Sequence, residues 1–189
     1  MTERELLVDC LVRLNQADIA YMLTGSMAST YWGVPRSTHD LDFVVRFADT
    51  AVARLVAALA GDFFVQESSI RAAFGPPFQF NAVDSRSGLK IDFWMLRDEP
   101  FEQEMFARRL RVELFGVPAF VATAEDVILH KLYWNTVSPS DRQLQDAAGV
   151  VTIQRDSLDL TYLRFWASQL GVVTRLDDLL EGRIRPKQT

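Results

Sequence analysis

The run Asp40-Leu41-Asp42-Phe43-Val44-Val45 opens with two carboxylates one residue apart and continues as an apolar segment. An apolar run of this length reads as a β-strand, and residues two apart on a strand project to the same face. The two aspartates are therefore expected side by side, with Leu41 turned the other way. Like charges that close repel one another and resist burial, so the pattern is stable where a cation lies between them. A divalent metal is the simplest such cation, and Mg²⁺ in particular combines carboxylate oxygens with substrate phosphates. A third carboxylate, Asp92, lies between Ile91 and Phe93 in the alternating stretch Leu89–Leu96. If that strand neighbours the first, three aspartates converge. Three suffice to hold two metal ions about 3.5–4 Å apart, the arrangement that serves in-line phosphoryl transfer. Taken alone, Asp-x-Asp also describes a strand-entry residue beside a solvated face.

The segment just before the pair narrows the choice. Ile19–Thr24 is a short apolar strand that ends at Gly25-Ser26, and a helix is expected over Ser26–Trp32, stopped by Gly33 and Pro35. Backbone N–H groups at a helix N-terminus attract anions, and a glycine there lets a phosphate approach closely. Ser26 adds a hydroxyl donor. The 13 residues between Ser26 and Asp40 accommodate one short helix and a return strand. Arg36 and Thr38 stand just ahead of the carboxylates.

Elsewhere the chain alternates periodicities. Residues 4–15 carry Leu6, Leu7, Cys10, Leu11 and Leu14 at helical spacing. Residues 49–60 form another helix, with Asp49 or Thr50 as its N-cap. Residues 63–66 are a short strand. Residues 78–83 and 89–96 alternate around the turn sequence Asp84–Gly88 and read as a hairpin. A helix at about 100–108 precedes two strands joined at Gly116. From Thr123, an N-cap followed by acidic residues, the pattern is helical to the end. Tyr162, Phe165, Trp166 and Leu170 share one face of a late helix, which is expected to dock on that face. The expected class is α/β (α+β): a mixed-sheet domain over 1–122 and a helical C-terminal segment over 123–189.

The formal net charge of −5 among 189 residues gives no bulk attraction for nucleic acid. Arg108, Arg109 and Arg111 form a local basic cluster that could offset this. A single cysteine, Cys10, excludes both a disulfide framework and a cysteine-based zinc site. The N-terminal residues are too interrupted by charge for a signal peptide or a membrane span. The expected setting is the cytoplasm.

The combination Leu23-Thr24-Gly25-Ser26, a short helix, Arg36-Ser37-Thr38-His39-Asp40-Leu41-Asp42, and then Ile91-Asp92-Phe93 resembles the nucleotidyltransferase superfamily that includes DNA polymerase beta. It is most like the small prokaryotic members, the AbiEii-like toxins and the minimal nucleotidyltransferases of toxin–antitoxin pairs. The resemblance continues more loosely through Glu125–Trp134 and Ser140–Val150, which are similar to the family's lysine helix and its Arg-x-x-x-Asp helix. It implies that Gly25 and Ser26 bind the β- and γ-phosphates of an NTP and that Asp40 and Asp42 ligate two Mg²⁺ ions. It implies further that Asp92 ligates the metal at the acceptor hydroxyl and takes its proton. Lys131 would reach the triphosphate, Arg142 and Asp146 would line the nucleotide cleft, and Arg36 and Thr38 would assist at the phosphates or buttress an aspartate. An ordinary reading remains for several of these: Lys131 as a snorkelling surface lysine, and Arg142 with Asp146 as an intrahelical pair.

The implied activity is transfer of an NMP from an NTP to a hydroxyl of RNA, such as tRNA, or of protein, with a toxin or antitoxin chain as a partner. A small-molecule acceptor of the aminoglycoside kind is one alternative. A catalytically idle fold that works by binding a partner is the other. The three aspartates and the Gly-Ser pair, all present, argue for a working site. A structure that set Asp92 far from Asp40 and Asp42 would make the pattern an accident.

Overall fold

The computed structural model describes residues 1–37 and 40–186. Thr38 therefore lies outside the described residues. The chain divides into two compact units, Met1–Thr24 with Thr38–Val121, and Gly25–Ser37 with Ala122–Thr189.

The first unit carries a seven-stranded mixed sheet. Its strands are β1 (Ala20–Leu23), β2 (Leu41–Arg46), β3 (Phe63–Phe64), β4 (Gln79–Asp84), β5 (Lys90–Met95), β6 (Leu110–Leu114) and β7 (Val117–Val121), in the order β3-β4-β5-β2-β1-β7-β6. β2 runs parallel to its neighbour β5 and antiparallel to β1. The hairpins expected around Asp84–Gly88 and Gly116 are β4–β5 and β6–β7.

The alternation of the central strands sorts their side chains, although Val44 of β2 is buried along with Phe43 and Val45. Leu41, Phe43 and Val45 of β2, Ile91 and Phe93 of β5, and Phe80 and Ala82 of β4 are buried on one face. There Phe80 and Phe93 stack at 4.9 Å between centroids, and Phe93 stacks on Phe43 at 5.7 Å. Helix α1 (Glu3–Gln16) adds Leu6, Leu7, Cys10, Leu11 and Leu14, all fully buried. Each large apolar side chain so buried contributes about 1.5–3 kcal/mol. The opposite face carries Asp42, Lys90, Asp92, Trp94, Gln79 and Asn81, none of them fully buried.

One local expectation is corrected. Asp49–Ala51 form a single 3-10 turn, and α3 (Val52–Leu59) follows with Ala51 at its N-cap and no side-chain cap bond. The Asp49 carboxylate instead accepts from Arg71 at 2.5 Å. A short helix, α4 (Glu67–Ala72), forms where the polar sequence gives no apolar periodicity. Helix α5 (Pro100–Arg108) forms where expected.

The second unit is helical: α2 (Gly25–Trp32), α6 (Ala124–Val137), α7 (Asp141–Gln154), α8 (Leu160–Gln169) and α9 (Val173–Leu180). α2 groups with these C-terminal helices because its end packs against α7 with almost no space between backbones. A Cβ on Gly33 would lie 2.7 Å from the Val150 amide nitrogen and 2.9 Å from the Ser29 carbonyl oxygen. Gly25 has φ +60°, the left-handed conformation that glycine enters without a Cβ penalty. Thr123 caps α6, accepting from the Asp126 amide, and its hydroxyl donates to the Asp126 carboxylate at 2.8 Å.

The buried face of α8 is Leu163 and Ala167, not the aromatic stripe expected from spacing. Phe165 is exposed, and Tyr162 is half-buried, with its phenol donating to Asp126 at 2.6 Å. Among the described residues, no helix is long and apolar enough to cross a membrane.

Candidate active site

In the first unit the decisive feature is register. Asp42 of β2 and Asp92 of β5 are direct partners on adjacent parallel strands. Paired residues of neighbouring strands share a sheet face, at a strand spacing of about 4.8 Å. The two carboxylates therefore stand together, as the sequence requires if the motif is to function. Asp40 departs from expectation. β2 begins at Leu41, so Asp40 is an exposed residue at the strand entrance rather than a member of the strand.

Asp92 is held from two sides. Asn81, its partner across the β4–β5 ladder, donates its amide to Oδ1. Lys90, two residues earlier on the same strand, places Nζ 3.0 Å from Oδ2. Sequence reasoning did not single out Asn81 or Lys90. The signal for Lys90 was present in the alternation of Lys90-Ile91-Asp92, which puts its side chain on the aspartate's face.

Among the described residues, no three His, Cys, Asp or Glu side chains gather closely enough to form a metal cluster. The donors present nonetheless suit a hard divalent cation. Mg²⁺ is commonly held by one or two carboxylates, with water and substrate phosphates completing its shell, and Asp42 with Asp92 is such a pair.

In the second unit four residues singled out from the sequence form one network. Arg36 binds Asp146 in a bidentate manner, Nε to Oδ1 at 2.7 Å and Nη2 to Oδ2 at 2.8 Å. Lys131 donates to the same Oδ2 at 2.9 Å. Arg36 Nη2 also donates to Ser26 Oγ at 2.7 Å. The Lys131 and Asp146 side chains are only 7% and 5% exposed, so Lys131 does not snorkel to the surface. Burial pushes the Asp146 carboxyl up, but the bonds from Arg36 and the charge and bond of Lys131 outweigh it and hold the group below its ordinary value. Two cations thus converge on one carboxylate. Ser26 is in the first turn of α2, where amide N–H groups lack helical partners and favour anions. Its hydroxyl accepts from Arg36 and retains a proton to donate. Arg142, for which the sequence offered either the nucleotide cleft or an intrahelical pair with Asp146, is exposed on α7, and the carboxylate is taken by Arg36 and Lys131.

Trp32, Arg109 and His130 engage neighbouring groups of the protein. Trp32 donates its indole N–H to the Ala122 carbonyl at 2.7 Å. The guanidinium of Arg109 lies 4.1 Å from the Phe106 ring centroid, and His130 accepts from the Trp134 indole.

Neither a protein-family model nor a curated protein matches the sequence. Solved structures do match. The crystal structure of ANT(2″)-Ia in complex with adenylyl-2″-tobramycin aligns with a TM-score of 0.59 at 15% identity, over 90% of this chain and 98% of that one. An antigenic nucleotidyltransferase-like protein from Paracoccidioides brasiliensis aligns with a TM-score of 0.58 at 13% identity, over 98% of this chain and 94% of that one. The chain has a nucleotidyltransferase fold. The solution structure of the antibiotic-resistance factor ANT(2″)-Ia agrees, with a TM-score of 0.54 at 14% identity over 95% of this chain and 90% of that one.

Proposed function

We propose that the protein is a nucleotidyltransferase that moves an NMP from an NTP to a hydroxyl acceptor and releases pyrophosphate. The observation that carries this reading is the pairing of Asp42 with Asp92 on adjacent parallel strands. Mg²⁺ held by Asp40, Asp42 and Asp92 would neutralise charge on the triphosphate and on the transition state. Ser26 and the amides of the first turn of α2 bind the β- and γ-phosphate oxygens. Arg36 and Lys131, fixed by Asp146, supply the positive field that these oxygens require. Gly25 keeps the backbone clear of the phosphates, and Thr38 and Arg142 lie in the segments that the resemblance assigns to the nucleotide. Asp92 orients the acceptor hydroxyl and receives its proton. The acceptor oxygen forms the new bond to the α-phosphorus as the bond from that phosphorus to the bridging oxygen breaks.

The acceptor proposed first is a hydroxyl of RNA or protein. A small polyhydroxyl amine is a second reading. It is supported by the net charge of −5, which attracts polycations, and by the likeness to ANT(2″)-Ia, crystallised with adenylyl-2″-tobramycin. The test is incubation with each α-labelled NTP, Mg²⁺ and, in turn, cellular RNA, a protein lysate and tobramycin, with Asp42→Ala alongside. Label in one acceptor class that disappears with the variant supports the reading and names the acceptor. Absence of label from all three, with every NTP, rejects it.

A further inference from the structure

The contact between Lys90 and Asp92 bears on how a metal reaches this site. Lys90 Nζ lies 3.0 Å from Asp92 Oδ2, and the Lys90 side chain is 53% exposed while that of Asp92 is 13% exposed. Lys90 and Asp92 are two apart on β5 and share a sheet face, so the ammonium can reach the carboxylate. Asn81 occupies the other oxygen of Asp92 from β4. Both oxygens of the carboxylate thus already have a donor, one of them a full positive charge. Asp42, directly opposite on β2, makes the local pair of negative charges that this ammonium offsets.

We propose that Lys90 is the resident counter-ion of the Asp42–Asp92 pair, and that a divalent metal must displace its ammonium from Asp92. This rests on the nucleotidyl-transfer reading of the two aspartates. An ammonium beside a carboxylate both blocks one of its oxygens and repels an arriving dication. With its ammonium on Asp92, Lys90 cancels one of the negative charges that would hold a hydrated Mg²⁺, an ion that dehydrates reluctantly. The triphosphate brings further negative oxygens, so metal is taken up together with nucleotide rather than by the protein alone. Lys90 then keeps the carboxylates compensated between turnovers. Once released from Asp92, its exposed ammonium remains on the same sheet face.

The experiment is calorimetric titration of MgCl₂ into the full-length protein without nucleotide, comparing the parent with Lys90→Met, Lys90→Arg and Asp42→Asn. Thermal melts in EDTA establish that each variant is folded. Lys90→Met preserves the aliphatic stem and removes the charge, and it should bind Mg²⁺ roughly tenfold more tightly than the parent, the size expected for removing one charge a few ångströms away at a solvated site. Lys90→Arg, which keeps the charge, should match the parent, and Asp42→Asn should abolish the binding gained in Lys90→Met when the two are combined. Equal Mg²⁺ affinity for the parent and Lys90→Met, or a gain in Lys90→Arg as well, overturns the proposal. A second titration with a non-hydrolysable NTP analogue present keeps the two levels distinct. Mg²⁺ uptake there, with no effect of Lys90→Met in its absence, refutes the counter-ion role but leaves the transferase reading standing. No uptake in either titration refutes both.

Discussion

Replacing Asp146 by alanine probes the network that ties α2, α6 and α7 together. The carboxylate accepts three bonds of 2.7–2.9 Å, two from Arg36 and one from Lys131. Removing one member of a buried ion pair costs about 3–5 kcal/mol, because the other member keeps its desolvation penalty without compensation. Arg36, 26% exposed, can turn toward water, whereas Lys131 at 7% has little access to it. The expected loss is therefore at the lower end, about 3 kcal/mol, or roughly 6–12 °C in Tm for a domain of this size. Urea denaturation followed by circular dichroism gives the value directly. The double variant Asp146→Ala with Lys131→Met removes the stranded charge and should recover a large part of the loss, with a coupling of at least about 1.5 kcal/mol. The pH dependence has a definite sign. The folded-state carboxyl is held below its ordinary value of 3.8, so its contribution is fully present above that value and is lost as pH falls through the lower folded-state value. The stability gap between parent and variant should thus be constant at neutral pH and shrink only on acidification below about pH 4. A loss under 1 kcal/mol, or strict additivity of the two substitutions, would refute the reasoning.

Gly33→Ala should destabilise the protein by about 1–3 kcal/mol, since the added Cβ meets Val150 and Ser29 backbone atoms inside 3.0 Å and backbone cannot swing aside; a urea midpoint equal to the parent's would contradict the close approach of α2 and α7. Thr123→Ala removes the cap of α6 and one partner of buried Asp126, so a loss of about 1–2 kcal/mol is expected in the same assay, and Thr123→Ser should retain most of the stability.

Most of the sheet was legible because its periodicity is clean. Leu41 and Phe43 flank Asp42, Ile91 and Phe93 flank Asp92, and Phe80 and Ala82 flank Asn81, while Gly116 and Asp84–Gly88 mark the two hairpin turns. The Asp42–Asp92 pairing could be posed only as a condition, because strand order is set by contacts far apart in sequence. The grouping of Gly25–Ser37 with the C-terminal helices was not legible either, since it rests on backbone approach at Gly33 and Gly149, where no side chain signals a partner. Ser26, Arg36, Lys131 and Asp146 were each singled out, yet their union through one carboxylate was not. Arg142, four residues from Asp146, offered a local partner that the long-range cations displace. The aromatic stripe of α8 misled because Leu163 and Ala167 form the buried face while Phe165 stands exposed.

The measurement that tests the central claim most directly is parallel incubation with α-labelled and γ-labelled NTP, Mg²⁺ and the responsive acceptor, for the parent and Asp92→Asn. Nucleotidyl transfer predicts that only the α-label enters the acceptor, that the γ-label leaves in pyrophosphate, and that Asp92→Asn loses both signals. Transfer of the γ-label to the acceptor, or undiminished α-label transfer by Asp92→Asn, would contradict the account.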